Sequence, residues 1–271
     1  MKHRPVSLGP LTALALAPPQ LMEVAARAGL DGVGIRMLPS APGGLCYRLM
    51  DDPVLLRETL AAKSASGMRI VDLEMVRIGP QFDVSAFAAF FETGARLSAA
   101  HVLVAIDDAN LARVTASFVQ VCEALVPYGM TADLEFMPWT DAPDLASARR
   151  IVQGAAQPNG GILVDALHFA RSRSRLEDLD AIPAAALHYA QICDGPAQAP
   201  ATLEGLIHAA RCERLLPGEG GLDLTSLFKH LPAGIPVCIE TPSDSRAPGL
   251  GWAEWVRLAA QATRAVLAGV G

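Results

Sequence analysis

Short runs rich in β-branched residues alternate eight times with longer Ala/Leu-rich segments of helical period, an order that few architectures accept. The predicted strands are Val6 to Leu11, Gly32 to Met37, Arg69 to Val76, His101 to Ile106, Thr131 to Phe136, Gly161 to Val164, Ala186 to Ile192 and Pro236 to Ile239. Helices are predicted over Pro19 to Ala28, Pro53 to Ser66, Val84 to Leu97, Leu111 to Val126, Asp144 to Gln153, Leu167 to Ser174, Thr202 to Ala210, Leu224 to His230 and Trp252 to Leu267. Several open on Pro or Asp, and Gly29, Gly67 and Gly129 stand where a left-handed residue would stop a helix. Strict alternation implies parallel strands joined by right-handed crossovers.

Eight such units in 271 residues favour a closed (β/α)8 barrel over an open doubly wound sheet. No GxGxxG or GxxxxGK[ST] turn follows the first strand, so the usual support for a nucleotide-binding open sheet is missing. With no linker or break in composition, residues 1–271 read as one barrel domain. Its longest βα loops, Leu38 to Asp52, Asp194 to Ala201 and Thr241 to Gly251, would rim the active face.

Apolar residues make up 51% of the chain and charged ones 18%, yet no unbroken apolar stretch reaches the ~20 residues of a membrane span. The expectation is a soluble protein with much buried surface. Its start superficially resembles a secretory signal, but Pro5, Pro10, Pro18 and Pro19 interrupt it, so it reads as a first strand and loop of a cytoplasmic protein. Five scattered cysteines without a CxxC pair argue against a disulfide framework or a zinc-thiolate site, and Cys193 and Cys238 read as small core residues. A net charge of −6 weighs against nucleic acid as the partner, and the basic run Arg171 to Arg175 reads as a solvated surface.

Four polar residues end successive strand-like runs: Glu135 in DLEF, Asp165 in ILVDALH, Gln191 in YAQICD and Glu240 in VCIET. A lone acid there is commonly a solvated strand end or a helix cap. Four on strands five to eight of one barrel converge on the same face, where a single divalent cation would reach them all. Glu74 and Arg77 form a second polar pair at the end of strand three, to orient one another or to meet substrate. Trp139 offers an apolar wall for a sugar face, and Arg214 a planar fork for a phosphate or carboxylate. His188, at the start of strand seven, lies far from this face and reads as structural.

On these residues the chain resembles the sugar phosphate isomerase/epimerase proteins, whose xylose isomerase-like barrel is shared by D-tagatose 3-epimerase and inosose dehydratase. The resemblance spans nearly the whole chain and is carried by DLEF, the Asp-x-x-His pair of VDALH, YAQICDG, PGEGGLDL and IETPS. It implies metal ligands at Glu135, Asp165, Gln191 and Glu240, with Gln191 standing where many relatives have histidine. An amide oxygen in place of imidazole shifts the preference from zinc toward manganese or magnesium. The resemblance also implies that His168 contacts substrate hydroxyls and that Glu219, in the glycine-flanked loop, turns toward the site or holds that loop.

The chemistry so implied is isomerisation or epimerisation of a small ketose, aldose or hydroxy-keto acid. A cation polarises the carbonyl and stabilises an enediolate, while Glu135 and Glu240 move the proton from opposite sides. A dehydratase using the same first step remains open, as does a barrel that binds a small ligand without turnover. Endonuclease IV has a similar barrel, but a DNA-repair enzyme of that type needs several histidines at its metals and a basic face, whereas the six histidines of this acidic chain lie mostly off the strand ends. Leu45, Tyr47, Leu49 and Met50, on the loop after strand two, would form a lid or a contact between copies in a homo-oligomer.

Overall fold

The computed structural model describes residues 4–270. Each predicted strand forms: β1 (Val6–Leu8), β2 (Gly32–Arg36), β3 (Arg69–Ile78), β4 (His101–Ile106), β5 (Thr131–Glu135), β6 (Gly160–Asp165), β7 (Ala190–Ile192) and β8 (Val237–Ile239). They close into a barrel in chain order, and every neighbouring pair is parallel. The alternation thus resolves into a (β/α)8 barrel.

Two strands, β1 and β7, are shorter than predicted by more than one residue. After Leu8 the chain tightens into a 3-10 turn over Pro10–Ala13, because Pro10 has no N–H to continue a ladder. There Thr12 Oγ1 donates to Ile239 O and accepts from Thr241 N, each at 2.9 Å, and so stitches the β1/β8 seam. Ahead of β7, Ala184–Ala186 also form a 3-10 turn, which leaves His188 outside the strand.

The flanking helices are α1 (Pro18–Arg27), α2 (Pro53–Ser66), α3 (Ala88–Leu97), α4 (Leu111–Leu125), α5 (Leu145–Ala155), α6 (Ala166–Arg171), α7 (Leu176–Leu179), α8 (Leu203–Cys212), α9 (Leu224–His230), α10 (Ala247–Leu250) and α11 (Trp252–Ala268). Side chains of Asp52, Asn110, Asp144, Asp165, Thr202 and Asp223 accept from backbone N–H groups in the first turns of α2, α4, α5, α6, α8 and α9. Such caps satisfy donors that a helix start leaves open, at roughly 1 kcal/mol each. Gly29, Gly67 and Gly129 have φ of 68°, 69° and 67° and end their helices as predicted. The predicted segment Val84 to Leu97 divides into a 3-10 turn and α3, and α7 and α10 are short additions.

Apolar side chains form two layers. A large core lies between sheet and helices, with Phe90, Phe118, Phe228 and Trp255 at most 2% exposed. Each such side chain contributes about 1.5–3 kcal/mol through burial. A thin plug of Met75, Leu103, Ala105, Met137, Leu163, Tyr189 and Cys238 fills the barrel itself. Alternation along the strands leaves polar residues on the axis above and below that plug. Among the described residues, no helix is long and apolar enough to cross a membrane.

Candidate active site

Four predicted residues meet at the carboxyl-terminal end of the barrel. Glu135 and Asp165 end β5 and β6, Gln191 pairs in register with Asp165, and Glu240 follows β8, its N–H donating to Ile192 O at 3.0 Å. All four are at most 4% exposed. With its amide nitrogen turned toward the acids, Gln191 donates to Glu135 Oε1 at 2.9 Å and to Asp165 Oδ2 at 3.2 Å. Asp165 also caps α6, its Oδ1 accepting from His168 N at 2.9 Å.

Arg214 joins them, its fork engaged by the protein's own carboxylates. The segment after α8 is held in short antiparallel bridges, Asp194 with Leu215 and Glu213 with Ser243. These aim the guanidinium inward, where Nη1 donates to Asp165 Oδ2 at 2.5 Å, Nη2 lies 3.0 Å from Glu240 Oε2 and Nε donates to Ala210 O at 2.7 Å. Asp194 fixes the following PGEGG loop by accepting from the N–H groups of Gly195, Gly218 and Leu222 at 2.8, 2.9 and 3.1 Å. A Cβ at Gly220 would sit 2.3 Å from that carboxylate, so the loop packs this closely only with glycine there.

On the opposite wall Arg36, at the end of β2, donates from Nε to Glu74 Oε2 at 2.7 Å and from Nη2 to the same oxygen. Glu74 therefore pairs with Arg36, not with Arg77 as the sequence suggested. Arg77 turns outward, Nη1 donating to Asp107 Oδ2 at 2.5 Å and Nε to Ser40 O at 3.1 Å. The four carboxylates of Glu74, Glu135, Asp165 and Glu240 face two guanidinium groups, which leaves two negative charges in a buried space.

The acids answer that imbalance by holding protons. Burial, then the charges of Glu240 and Asp165, push the Glu135 carboxyl well above its ordinary range. Burial also raises Glu240, to about 8, against the pull of Arg214. For Asp165 burial works against the charge, but the charge of Arg214, the neighbouring His168 with its backbone N–H, and the Arg214 hydrogen bond together outweigh it and hold the carboxyl low. Burial pushes His168 down to about 4, so its imidazole is neutral at pH 7.

His168 lies 3.7 Å from Glu135 through Nε2 and meets the Trp139 ring edge-on, the ring centroids 5.0 Å apart. His168 Nδ1, Trp139 Nε1 and Glu74 Oε1 are buried without a hydrogen-bond partner. Such atoms are scarce in folded proteins, and here all three belong to residues lining one cleft. The cleft holds about 40 Å³ of free space between the apolar walls of Leu11, Met75, Leu103 and Met137, with Ser40, Arg77 and Arg211 also lining it.

Two predicted positions lie elsewhere. Glu219 is exposed and does not line the cleft; its Oε2 accepts from Arg246 Nη1 at 2.5 Å and from Leu216 N at 3.2 Å, so it holds the loop. Leu49 is fully buried, which takes it out of the suggested surface and leaves Leu45, 52% exposed, as its large exposed apolar residue. Arg36 and Arg211 escaped the sequence reading. Arg36 ends the apolar run GVGIR, the same kind of signal that marked the acids, whereas Arg211 carried no signal beyond lying one helical turn before Arg214.

Four buried carboxyl groups facing two guanidinium groups, with three carboxyls and one amide at a common point, suit a hard divalent cation, whose charge would take the place of the held protons. Gln191 would have to present its oxygen in place of its nitrogen.

A profile of the family described as xylose isomerase-like TIM barrel matches residues 22–265. No curated protein matches the chain in sequence. Among solved structures, the IolI protein with a bound zinc atom superposes with a TM-score of 0.82 at 18% identity, covering 98% of this chain and 99% of that one. D-allulose 3-epimerase from Methylomonas sp. gives 0.70 at 15% identity, covering 99% of each chain. A probable 3-DHS dehydratase of petrobactin synthesis from Bacillus anthracis gives 0.74 at 13%, covering 96% of this chain and 98% of that one. The closed eight-stranded barrel and the family match across nearly all of its length place this chain in the xylose isomerase-like TIM barrel family.

Proposed function

We propose that the protein is a sugar-modifying enzyme, an isomerase or epimerase that moves a proton beside the carbonyl of a small hydroxy-carbonyl substrate. The observation that supports this most strongly is the pair of buried carboxyls, Glu135 and Glu240, both shifted upward in one cleft lined by unbonded polar atoms. A proton shuttle needs one group able to accept and one able to donate near neutral pH: an acid raised from its ordinary range can donate, and it would become an acceptor once the charge of a bound cation draws its proton away.

Glu135, Asp165, Gln191 and Glu240 would hold a divalent cation, with manganese or magnesium favoured over zinc because the set has neither imidazole nor thiolate. When bound, the cation supplies Lewis-acid polarisation of the substrate carbonyl. The side chains supply the rest. Glu135 takes the proton from the substrate carbon and Glu240 returns one. Neutral His168 offers Nδ1 to a substrate hydroxyl, Trp139 closes one wall, and Arg214 holds Asp165 and Glu240 in place.

A dehydratase would share the first proton abstraction and differ only in a hydroxyl leaving from the β carbon. The test is the metal content of wild type, Glu135→Gln and Glu240→Gln beside exchange of substrate carbon-bound hydrogen with deuterated water. Bound divalent metal and exchange in wild type, both lost in the variants, are expected. Absence of metal after supplementation together with ligand binding that ignores both substitutions would replace this reading with that of a non-catalytic binding barrel.

A further inference from the structure

At the mouth of the cleft positive charge is left over. Arg211 projects from the last turn of α8 and lines the cleft, half-buried, yet its guanidinium makes no hydrogen bond or ion pair among the described residues. Arg77 also lines the mouth; Asp107 and Ser40 engage Nη1 and Nε, and Nη2 is left without a hydrogen bond among the described residues. Burial, followed by the nearby charges of Arg77 and Arg36, lowers the pKa of Arg211. Like charges gathered beside an apolar wall disfavour one another unless something anionic joins them. Arginine is the side chain best suited to that role, since its planar fork matches carboxylate and phosphate oxygens two at a time.

Deeper in, the guanidinium groups of Arg36 and Arg214 are already taken by Glu74 and by Asp165 and Glu240. They face the acids that would do the chemistry. The cleft therefore divides by charge along its depth: an acid-rich floor and a mouth with unspent arginine.

We propose that the substrate is an anion whose terminal carboxylate or phosphate is held by Arg211 and Arg77 while its hydroxy-carbonyl end reaches Glu135 and Glu240. A neutral ketose held at the acid-rich floor would leave the mouth unpaired. The inference rests on the reaction proposed above only in taking this cleft as the substrate site.

Three probes that differ only at one end separate the alternatives: dihydroxyacetone, hydroxypyruvate and dihydroxyacetone phosphate. Each is titrated into the metal-supplemented full chain, following binding by calorimetry and hydrogen exchange by NMR. At least one anion should bind about tenfold more tightly than dihydroxyacetone, and which one does so tells carboxylate from phosphate. Arg211→Gln and Arg77→Gln should each remove most of that preference, Arg211→Lys should retain part of it, and affinity for dihydroxyacetone should stay near wild type in all three. A substitution that merely disturbed the fold would weaken all three probes alike, and that pattern overturns the proposal. So does equal affinity for the neutral and anionic probes, or failure of both anions to bind. If an anion binds through Arg211 but nothing exchanges, the reaction proposed above fails and the anion subsite stands. If dihydroxyacetone exchanges freely and Arg211→Gln changes nothing, the reaction stands and the subsite fails.

Discussion

The two ends of the barrel both gather histidine and carboxylate, and they settle the resulting charge differently. At the amino-terminal end Asp133 accepts from Thr131 Oγ1 at 2.5 Å and pairs with His188 Nδ1 at 2.6 Å, while His101 Nδ1 lies 2.7 Å from Thr131 Oγ1. His101 stacks on Tyr189 and His188, with centroids 4.8 and 5.8 Å apart. Ligand-type atoms of His101, Asp133 and His188 come within 4.8 Å of one another, as do those of Glu135, Asp165 and His168 at the other end. Proximity does not separate the two clusters. Satisfaction does, because Asp133 has its partners in place, whereas the carboxyl-terminal end sets four buried carboxyl groups against two guanidinium groups and leaves Glu74 Oε1, His168 Nδ1 and Trp139 Nε1 unbonded. Asp72, just inside the lower cluster, is relieved only in part: burial raises its carboxyl well above the ordinary range and Tyr189 donates to Oδ2 across the barrel at 3.2 Å, while Oδ1 has no hydrogen-bond partner.

The largest break in this comparison should come from Glu135→Gln or Glu240→Gln. Either should lower the exchange rate about 10²- to 10⁴-fold, the usual worth of a positioned acid or base. Asp133→Asn, which alters the other end to the same chemical degree, should leave the rate near wild type. Kinetics on the three variants checks both statements, and a comparable loss in Asp133→Asn would mean that the ends act as one unit.

Next is Arg214→Met. It leaves Asp165 and Glu240 buried without their cation, at a cost of about 3–5 kcal/mol in metal-free protein, read by denaturant unfolding. The cost should be larger at pH 8 than at pH 5, because Glu240 titrates near 8 and holds its proton in acid. Added divalent cation should recover part of it.

How much of this was legible beforehand follows from where the information resides. Strand identity was visible because each strand is a short apolar run bounded by caps and turn glycines, and the barrel followed from eight repetitions. Glu135, Asp165, Gln191 and Glu240 could be placed together because in a closed parallel barrel every strand end points to one face. Partner choice could not. Glu74 selects Arg36 on the neighbouring strand over Arg77 on its own, and Arg214 turns inward because two bridges with distant segments aim it, contacts that local sequence does not encode. The short reach of β1 and β7 was hidden for a related reason: Leu11 and Ala186 are as apolar as strand residues, although the backbone there has turned into 3-10 geometry.

A smaller effect sharpens the picture of the amino-terminal end. A Cβ at Gly161 would lie 2.5 Å from His188 Nδ1 and 2.6 Å from Asp133 Oδ1, so Gly161→Ala forces the pair apart. Overpacking of this kind costs about 1–3 kcal/mol. The variant should unfold at lower denaturant while retaining wild-type metal content. Loss of metal in Gly161→Ala would show that the thin apolar plug transmits strain from one end to the other.

The smallest effect is the pH dependence contributed by His188. Burial works against its charge, but the hydrogen bond and charge of Asp133 outweigh that and raise its pKa above the ordinary 6.5. A base whose folded pKa is raised binds its proton more tightly when folded, so its contribution is complete below pH 6.5 and disappears as pH climbs through the folded value. The ring is partly solvated, and the amplitude should be under about 1 kcal/mol. Glu240 in metal-free protein also makes stability fall between its ordinary 4.5 and about 8, because the folded state keeps a proton that the unfolded chain releases. Raw profiles therefore mix the two ends. Subtracting the stability profile of His188→Gln from that of wild type isolates the lower one, and the difference should be flat below pH 6.5 and shrink above it. A difference that grows as pH rises would mean that His188 is held neutral and that Asp133 is stabilised by Thr131 alone.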